Sequence, residues 1–221
     1  MNPNTTNTFY DNGNLKVMET FANGVRHGMY KSFYNNGQLQ DSGTFINGVQ
    51  DGCWERYHEN GQLSGKVIFK QGLRIYFESY DENGQLVTRG RINQYDQPEG
   101  IWEDYYHNGQ LRWRRNYNNG LVDGIYESFH ENGNIDIIGT FKKDKEEGII
   151  EYYNENGLIN ARHTYINGEL NGLYEEYHEN GILMTRGYYR NGKFDGIFED
   201  YNDEGELISK QRYRNGNLIH D

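Results

Sequence analysis

The feature that most constrains this chain is a glycine that returns about every 24 residues. It sits in a short x-Asn-Gly-x-Leu sequence or a close variant of it, at Gly13, Gly37, Gly61, Gly84, Gly109, Gly133, Gly157, Gly181 and Gly205. Successive glycines lie 24, 24, 23, 25, 24, 24, 24 and 24 residues apart. A fixed period of this length is the signature of a repeat array, in which each unit packs mainly against its neighbours. The sequence therefore predicts a tandem array.

Each period contains a second turn signal, again Asn-Gly in most repeats. It occurs at Asn23-Gly24, Asn47-Gly48, Asn119-Gly120, Asn167-Gly168, Asn191-Gly192 and Asn215-Gly216. Asn-Gly favours a two-residue type I′ hairpin turn, because both central residues need positive φ. The runs between turns are rich in Tyr, Phe, Ile and Thr, which is typical of strands, and the frequent glycines disfavour helices. The predicted fold class is all-β, an elongated open antiparallel meander of tandem β-hairpin repeats.

Charged residues predict the register of these hairpins. If Asn60 and Gly61 are the two loop residues, Glu55 faces Lys66. The same rule gives Glu78–Arg89, Glu103–Arg114, Glu151–Arg162, Glu175–Arg186 and Glu199–Lys210, while Glu127 faces Ile138. Opposite charges across an antiparallel pair stabilise it by about 0.2–1 kcal/mol, so six such matches favour this register.

Period-two alternation then divides the side chains between two faces. One face is predicted to hold the leucine column that begins at Leu15, the Phe/Tyr column that begins at Phe21, and an aromatic column. The aromatic column is Tyr30, Trp54, Phe77, Trp102, Tyr126, Ile150, Tyr174 and Phe198, and half of its members oppose a glycine, as Tyr30 opposes Gly43. This face is predicted to be the more buried one. Cys53 falls in a neighbouring apolar column, which predicts a packed, unreactive thiol.

The opposite face carries the charge pairs beside a row of tyrosines and is the predicted partner-binding surface. Its candidate residues are Tyr57, Tyr80, Tyr105, Tyr153, Tyr177 and Tyr201, with Glu103, Glu151 and Glu175. Tyrosine rings flanked by charges suit a half-exposed binding surface. The pattern fits a second interpretation equally well, in which the rings are solvated rungs of the sheet.

The composition excludes several function classes. Hydrophobic residues make up 34% of the 221 residues, but 20 Tyr and 10 Phe argue against disorder. The net charge of −11 argues against nucleic acid and anionic membranes as partners. It favours a basic protein partner, or it serves only to keep an aromatic sheet soluble.

Residues 1–8 are predicted to be a polar, mobile lead-in, and residues 9–221 a single array of about nine hairpins. The first residues have neither the charged nor the apolar region of a signal peptide. No apolar run approaches the roughly 20 residues of a membrane span. With one cysteine, Cys53, the chain has no internal disulfide. These features predict a cytoplasmic protein.

The sequence contains no catalytic or nucleotide-binding motif. It lacks a Gly-Lys-Ser/Thr loop, a Cys-x-x-Cys pair and a His-Glu-x-x-His helix. His58, His130 and His178 occupy one repeat column and mark a rung of the sheet. The glutamates of the column from Glu55 to Glu199 lie two strands apart from one repeat to the next, a distance of roughly 10 Å. Two of them are therefore too far apart to share a calcium ion, whose ligand oxygens lie at about 2.3–2.6 Å. We expect no enzyme activity, cofactor or metal.

Three second turns depart from the pattern, at residues 71–76, 94–100 and 142–148. Local exceptions of this kind mark either functional sites or drift within a tolerant array, and the sequence does not choose between them. Residues Arg112-Trp113-Arg114-Arg115 form a dense basic and aromatic cluster to which no function is assigned.

The unit Tyr-x-Glu-Asn-Gly-x-Leu … Gly-x-Tyr-x-Asn-Gly-x-x-x-Gly-x-Tyr/Trp, clearest at residues 102–120 and 174–198, resembles the variant MORN repeat over about residues 9–217. Bacterial arrays of this variant are similar to YwqK-type antitoxins, the immunity partners of polymorphic toxins. The resemblance implies stacked antiparallel hairpins and an antitoxin that neutralises a cognate protein toxin by direct contact. MORN proteins of animals and protozoa imply the alternative, a scaffold that forms homodimers or joins other proteins.

Overall fold

The computed structural model describes residues 4–220, and the regular elements in that range are all β-strands. Their bounds are β1 Asn4–Phe9, β2 Leu15–Ala22, β3 Val25–Phe33, β4 Leu39–Ile46, β5 Val49–Tyr57, β6 Leu63–Lys70, β7 Leu73–Tyr80, β8 Leu86–Ile92, β9 Pro98–Tyr105, β10 Leu111–Asn118, β11 Leu121–Phe129, β12 Ile135–Lys142, β13 Lys145–Tyr153, β14 Ile159–Ile166, β15 Glu169–Tyr177, β16 Leu183–Arg190, β17 Lys193–Phe194, β18 Gly196–Tyr201, β19 Leu207–Arg214 and β20 Asn217–Leu218. Within each unit, neighbouring strands of the sheet pair antiparallel. The predicted all-β open meander of tandem hairpins is confirmed.

The chain divides between Gly109 and Gln110 into two compact units. The first contains β1–β9 and the second β10–β20, and in the second β16 pairs with both β17 and β18. The sequence predicts a mobile lead-in at residues 1–8, but the described part of it is a β-strand. Residues 4–9 form β1, which pairs with β2, and residues 1–3 lie outside the described residues. The single array over residues 9–221 stays a prediction.

The predicted register is confirmed for the pairs that lie within one unit. These are Glu55–Lys66, Glu78–Arg89, Glu127–Ile138, Glu151–Arg162, Glu175–Arg186 and Glu199–Lys210. Cross-strand charge was therefore a sound guide to which residues face each other.

The first turn of each repeat, in contrast, is not the predicted two-residue type I′ turn. In the β5–β6 hairpin, the N–H of His58 donates to the carbonyl of Gln62 at 2.8 Å. The N–H of Gly61 donates to the carbonyl of His58 at 2.9 Å, and Gly61 alone takes a positive φ, of 86°. This is a three-residue loop, a type I turn closed by a glycine in the left-handed region.

A bulge restores the register after this longer loop. Tyr57 pairs with Leu63, but the next pair is Arg56 with Gly65, so Ser64 is an extra residue in β6. A one-residue bulge compensates for the one-residue change in the loop. The charge pairs consequently keep the positions that a two-residue loop would have given them.

The second turn is the predicted type I′ turn at every Asn-Gly site. Asn47 and Gly48 have φ of 51° and 86°, and the flanking Ile46 and Val49 pair directly. The asparagines at the six sites have φ between 49° and 53°. Asparagine tolerates this left-handed region better than most residues because its short polar side chain fits there.

The three irregular second turns are backbone variants of the same hairpin. Gln71 and Gly72 form a type I′ turn, and so do Lys143 and Asp144 without any glycine, with φ of 51° and 64°. At residues 94–100 the turn is a three-residue loop in which Asp96 takes the positive φ of 64°. The extra residue at 94–100 is accommodated by its three-residue loop, and the charged residues at 142–148 by an ordinary type I′ turn.

A larger bulge follows most second turns. Between the pairs Thr44–Asp51 and Ser42–Glu55, β4 has one residue and β5 has three. Gly52 within this bulge has a φ of 72°, which explains why a glycine recurs four residues after the turn glycine. The bulge therefore inserts two residues into every standard repeat.

The 23-residue repeat is shorter because its bulge is smaller. In the β6–β7 hairpin the pairs Phe69–Arg74 and Ile68–Tyr76 leave a single extra residue, Ile75, in β7. The deleted residue comes from the bulge, so pairing on both sides is unchanged.

Hydrogen bonds tie consecutive hairpins together at both edges. At the second turns, the turn N–H donates to a carbonyl of the preceding hairpin, for Gly48–Arg26, Gly72–Gln50, Asp144–Val122, Gly168–Glu146, Gly192–Leu170 and Gly216–Phe194. At the first turns, an asparagine Nδ2 donates to a carbonyl of the following turn, for Asn12–Asn35, Asn36–Glu59, Asn60–Glu82, Asn132–Glu155 and Asn180–Asp203. The Nε2 atoms of His58, His130 and His178 lie 2.9–3.1 Å from the carbonyls of Tyr80, Tyr153 and Tyr201. The histidine column is thus part of the stacking of repeats.

We call the face that carries the Glu–Arg pairs the ladder face, and the face that carries Trp54, Ile150 and Phe198 the aromatic face. Those three side chains are among the few buried hydrophobic ones. Rings such as Tyr30, Phe45 and Trp54 pack on each other with centroids 5.0–5.7 Å apart. The core of this single-layer sheet is therefore a band of rings on one surface.

Two predictions about these faces were wrong. The leucine column lies on the ladder face, because Leu63 pairs directly with Tyr57 and opposed residues share a face. Cys53 is exposed, because a single layer provides no second sheet to cover its column. The predicted pairing of Gly43 with Tyr30 is confirmed, and the ring that covers Gly43 is Trp54 of the next hairpin.

Candidate partner-binding surface

The ladder face carries a line of alternating charges across successive strands. In the first unit, directly paired residues follow the order Glu55, Lys66, Glu78, Arg89 and Glu103. In the second unit the order is Arg114, Glu127, Ile138, Glu151, Arg162, Glu175, Arg186, Glu199 and Lys210. Ile138 is the one uncharged position in these two stretches. Each acid consequently has a basic neighbour on at least one adjacent strand.

Most of these neighbours form close ion pairs. Arg162 bridges two carboxylates, with Nη2 2.8 Å from Glu151 Oε1 and Nη1 3.4 Å from Glu175 Oε2. Arg186 Nη2 lies 2.8 Å from the other oxygen of Glu175, and Arg89 Nε lies 2.6 Å from Glu103 Oε2. Networks of this kind stabilise more than isolated surface pairs, since each side chain is ordered once for two contacts.

Every tyrosine of the predicted site donates its hydroxyl to the glutamate two residues before it in the same strand. The donor–acceptor distances are 2.7 Å for Tyr57–Glu55, 2.7 Å for Tyr80–Glu78, 2.9 Å for Tyr105–Glu103, 2.9 Å for Tyr153–Glu151, 3.0 Å for Tyr177–Glu175 and 3.0 Å for Tyr201–Glu199. Residues i and i+2 of a strand share a face, which is why one spacing produces the same contact in six strands.

The structure thus brings the predicted tyrosines and glutamates together, but it turns their polar groups toward each other. Glu175 is 3% exposed and Glu103 is 8% exposed, while the tyrosines are half-buried. This arrangement matches the second interpretation of the sequence, in which the tyrosines are rungs of the sheet. Their binding role stays a prediction. Because their hydroxyls are bonded to the glutamates, a partner would contact the edges of the rings.

The ladder also shifts the ionisation of its members. Burial, followed by the hydrogen bond to a carboxylate, raises the pKa of Tyr57 and of Tyr80 to about 12. For Glu78, burial acts in the opposite direction, but hydrogen bonds from Tyr80 and Tyr76 outweigh it and lower the pKa of the carboxyl group. The tyrosines are therefore neutral donors, and the glutamate an ionised acceptor, at neutral pH.

Beside the charges, the ladder face exposes a row of apolar side chains, which we call the bulge row. Met29, Ile101, Ile125, Ile149 and Ile197 are between 44% and 58% exposed. Each lies within the larger bulge. The four isoleucines lie two residues before glutamates of the charged line, and Met29 lies two residues before Lys31. This column, which includes Cys53, was predicted to be packed, but its members form an exposed surface. Its place two residues before each ladder glutamate was the signal that puts it on the ladder face.

A row of carboxylates lines the first-turn edge within each unit. The exposed acids there are Asp11, Glu59, Glu82, Glu155, Glu179 and Asp203. The asparagine of the preceding turn donates a hydrogen bond from its Nδ2 to the backbone carbonyl of Glu59, Glu82, Glu155 or Asp203. Hydrogen bonding therefore fixes where these charges are displayed.

Among residues 4–220, no three His, Cys, Asp or Glu side chains converge in a way that would hold a metal ion. Within the same range, no helix has the length and apolar character needed to span a membrane.

The spacing of the repeats agrees with the comparison to known families. The profile described as "MORN repeat variant" matches residues 5–23, 26–47, 50–71, 98–119, 122–143 and 170–193, more than half of the chain. The chain belongs to the MORN repeat variant family. Each matched segment of this MORN protein coincides with hairpin strands and their turns, so the family and the fold agree. Comparison with curated proteins finds no match.

Solved structures show weak similarity. The crystal structure of TcdB2-TccC3 aligns with 98% of this chain and 14% of that chain, at 10% identity and a TM-score of 0.25. The crystal structure of TcdB2-TccC3-Cdc42 aligns with 95% of this chain and 13% of that chain, at 10% identity and a TM-score of 0.24. At these values the MORN chain is similar to a small part of much longer proteins, and the likeness carries no argument about function.

Proposed function

We propose that this MORN protein is a non-catalytic binding protein of the cytoplasm, an antitoxin or immunity protein that neutralises a cognate basic protein toxin by direct contact. The observation that carries the proposal is the bulge row, a repeated set of exposed apolar side chains on a charged sheet face. Regular apolar exposure marks interaction surfaces, because soluble proteins seldom leave such side chains uncovered. Neither nucleic acid nor a membrane surface suits a chain of net charge −11.

The bulge row would supply the apolar contact with the partner, and the ladder would contribute little to the affinity. Glu151, Arg162 and Glu175 already satisfy one another, so a partner gains little by competing for them. The bulge row offers apolar area, and the tyrosine rings offer flat, rigid edges beside it. The carboxylates of the first-turn edge attract a basic partner at long range and speed its association.

One observation favours a second candidate function, a scaffold that associates through its sheet edges. All six residues of β1 are exposed, and among the described strands β1 pairs with β2 alone. An unpaired edge is a template for another strand. A homodimer formed there would leave the bulge row free for other proteins.

A first experiment identifies the partner. The tagged protein is recovered from its native cell lysate at physiological salt, and co-purifying proteins are identified and quantified. The proposal expects one basic toxin in about equal amount, released progressively by added salt because its attraction is electrostatic. Self-copies alone would contradict the proposal and favour the scaffold.

A second experiment locates the contact on the identified complex. Replacing Ile125 and Ile149 together by Ser is expected to weaken the complex at least tenfold, since two apolar anchors are lost. The matched control replaces Leu121 and Ile166, which are 41% and 48% exposed but lie outside the bulge row. Equal losses in both double variants would show that the bulge row is not the contact surface. Replacing Tyr153 and Tyr177 by Ala tests the ring edges in the same assay.

A further inference from the structure

A cleft on the aromatic face of the second unit has a volume of about 300 Å³. Its lining consists of Arg115, the apolar and aromatic side chains of Val122, Tyr126, Ile137, Phe141, Ile150 and Tyr152, and the carboxylates of Asp144 and Glu146. It arises where two repeats depart from the aromatic pattern, on β10 and on β13, to either side of Tyr126. Arg115 replaces the glycine, or small apolar residue, that opposes the aromatic column in most repeats. Ile150 is the one aliphatic member of that column. On one side of Tyr126 a cation has therefore been added, and on the other side a ring is missing.

Arg115 has no anionic partner within the described residues. Its guanidinium carbon lies 4.9 Å from the centroid of Tyr126 and 4.3 Å from that of Trp113, and its Nε is buried without a hydrogen-bond partner. Stacking on two rings holds the guanidinium in place, but it leaves the Nε–H donor unused. A buried donor without a partner is costly, so the site is prepared for an acceptor.

The cleft of the first unit shows what a satisfied version of this site is like. That cleft has a volume of about 410 Å³, and its lining contains Trp54 and two arginines, Arg56 and Arg74. There Arg56 Nε lies 2.8 Å from Asp41, and Arg74 is paired with Asp96. Both cations are already neutralised by the chain itself. Arg115 differs in lacking a carboxylate.

Two carboxylates, those of Asp144 and Glu146, also line the Arg115 cleft. Asp144 Oδ1 accepts the N–H of Val122 at 2.7 Å. Glu146 Oε2 lies beside Gly168, in the turn between β14 and β15. Neither carboxylate forms an ion pair with Arg115, and both lie at the second-turn side of the cleft.

We propose that this cleft binds a carboxylate attached to an aromatic or branched apolar group. The carboxylate accepts hydrogen bonds from Nε and one Nη of Arg115, the paired geometry that a guanidinium offers along one edge. The apolar group takes the place of the missing ring, against Tyr126, Phe141 and Tyr152. A free small acid and the C-terminus of a protein present the same chemistry. The inference does not depend on the proposed antitoxin function.

The test is an NMR titration that follows the Nε–H signal of Arg115 and the indole N–H of Trp113. The probes are 3-phenylpropionate and its neutral analogue 3-phenylpropanamide. The acid is expected to shift both signals saturably, and the amide to bind at least tenfold more weakly, because it loses the charge-assisted hydrogen bonds. Equal binding of acid and amide, or no binding of the acid, would overturn the proposal.

Variants separate this site from general attraction to cations. Arg115→Gln is expected to weaken binding of 3-phenylpropionate at least tenfold, read from the Trp113 signal. Arg214→Gln, which removes an exposed arginine, is expected to change nothing. Equal losses in the two variants would refute the assignment. If Arg115→Gln does not fold, the acid–amide comparison on the unchanged protein decides.

Two further probes distinguish the source of the carboxylate. They are a tetrapeptide that ends in Phe with a free C-terminus and the same peptide amidated. Tighter binding of the free peptide than of 3-phenylpropionate assigns the cleft to a protein terminus, whereas the reverse order assigns it to a small acid. Either order requires that the amidated peptide bind more weakly than the free one, and the absence of that difference would contradict the proposal.

Discussion

Replacing Gly43 by Ala tests the packing on which the aromatic face depends. A Cβ built on Gly43 would lie 2.6 Å from Trp54 Cγ and closer still to Cδ2 and Cε2. Real Cβ atoms do not approach other atoms this closely, so the indole must move. Trp54 packs on Phe45 at 5.0 Å and on Tyr30 at 5.4 Å, and its Nε1–H donates to the carbonyl of Thr44 at 3.1 Å. Movement would disturb all of these contacts.

The expected loss of stability follows from those contacts. Overpacking of a filled site costs about 1–3 kcal/mol, and the lost hydrogen bond about 1 kcal/mol. Gly43 has no positive φ, so Ala adds no backbone strain and recovers about 0.4–1 kcal/mol from the unfolded state. The free energy of unfolding should therefore fall by about 2–3 kcal/mol.

The matched control is Gly65→Ala. Gly65 is also a strand glycine without positive φ, but its nearest neighbour would be Glu78 O at 3.4 Å, an ordinary contact. Urea unfolding followed by circular dichroism and tryptophan emission should show Gly65→Ala within about 0.5 kcal/mol of the unchanged protein. If Gly43→Ala is as stable as Gly65→Ala, the argument that Trp54 depends on a bare backbone fails.

Three other predictions concern the ladder and the turns. Glu175→Gln should lower the free energy of unfolding by about 2 kcal/mol and Glu151→Gln by under about 1 kcal/mol, because their side chains are 4% and 26% exposed; equal values in urea unfolding would contradict this. The pKa values of Tyr57 and Tyr80 are raised from 10.0 to about 12, so the stability they contribute is complete below about pH 10 and is lost as pH rises toward about 12; tyrosinate absorbance and circular dichroism across that range check it. Lys143→Asn should raise the free energy of unfolding by about 0.5–1 kcal/mol, and the melting temperature with it, because Lys143 has a φ of 51° that Asn tolerates better. A lower melting temperature than that of the unchanged protein would contradict this.

The sequence predicted the register well because charge pairing is a local and repeated signal. Glu175 and Arg186 face each other whatever connects their strands. The turn at Asn60 could not be assigned in the same way, since a three-residue loop followed by a bulge at Ser64 gives the same pairing as a two-residue loop. Only the φ of Asn60 separates the two, and the residue types suit both.

The faces were harder to predict because each bulge changes how the alternation continues. Leu63 is assigned to the wrong face if Ser64 is counted as an ordinary strand residue. Cys53 looks like a core residue by composition, but it is exposed because the sheet has one layer. The partners of Tyr177 and Glu175 were predictable from period two, whereas their burial depends on the two arginines that cover them.

The alternation of charges on the ladder face has a consequence for long-range electrostatics. Neighbouring charges of opposite sign sit about one strand spacing apart, roughly 4.8 Å. The potential of such a row cancels within a few ångströms above the sheet, well inside the Debye length of about 8 Å at physiological salt. Glu59, Glu155 and Glu179 at the first-turn edge share one sign and do not cancel. An approaching molecule therefore senses the edge of the sheet first, and the ladder becomes electrostatically visible only on contact.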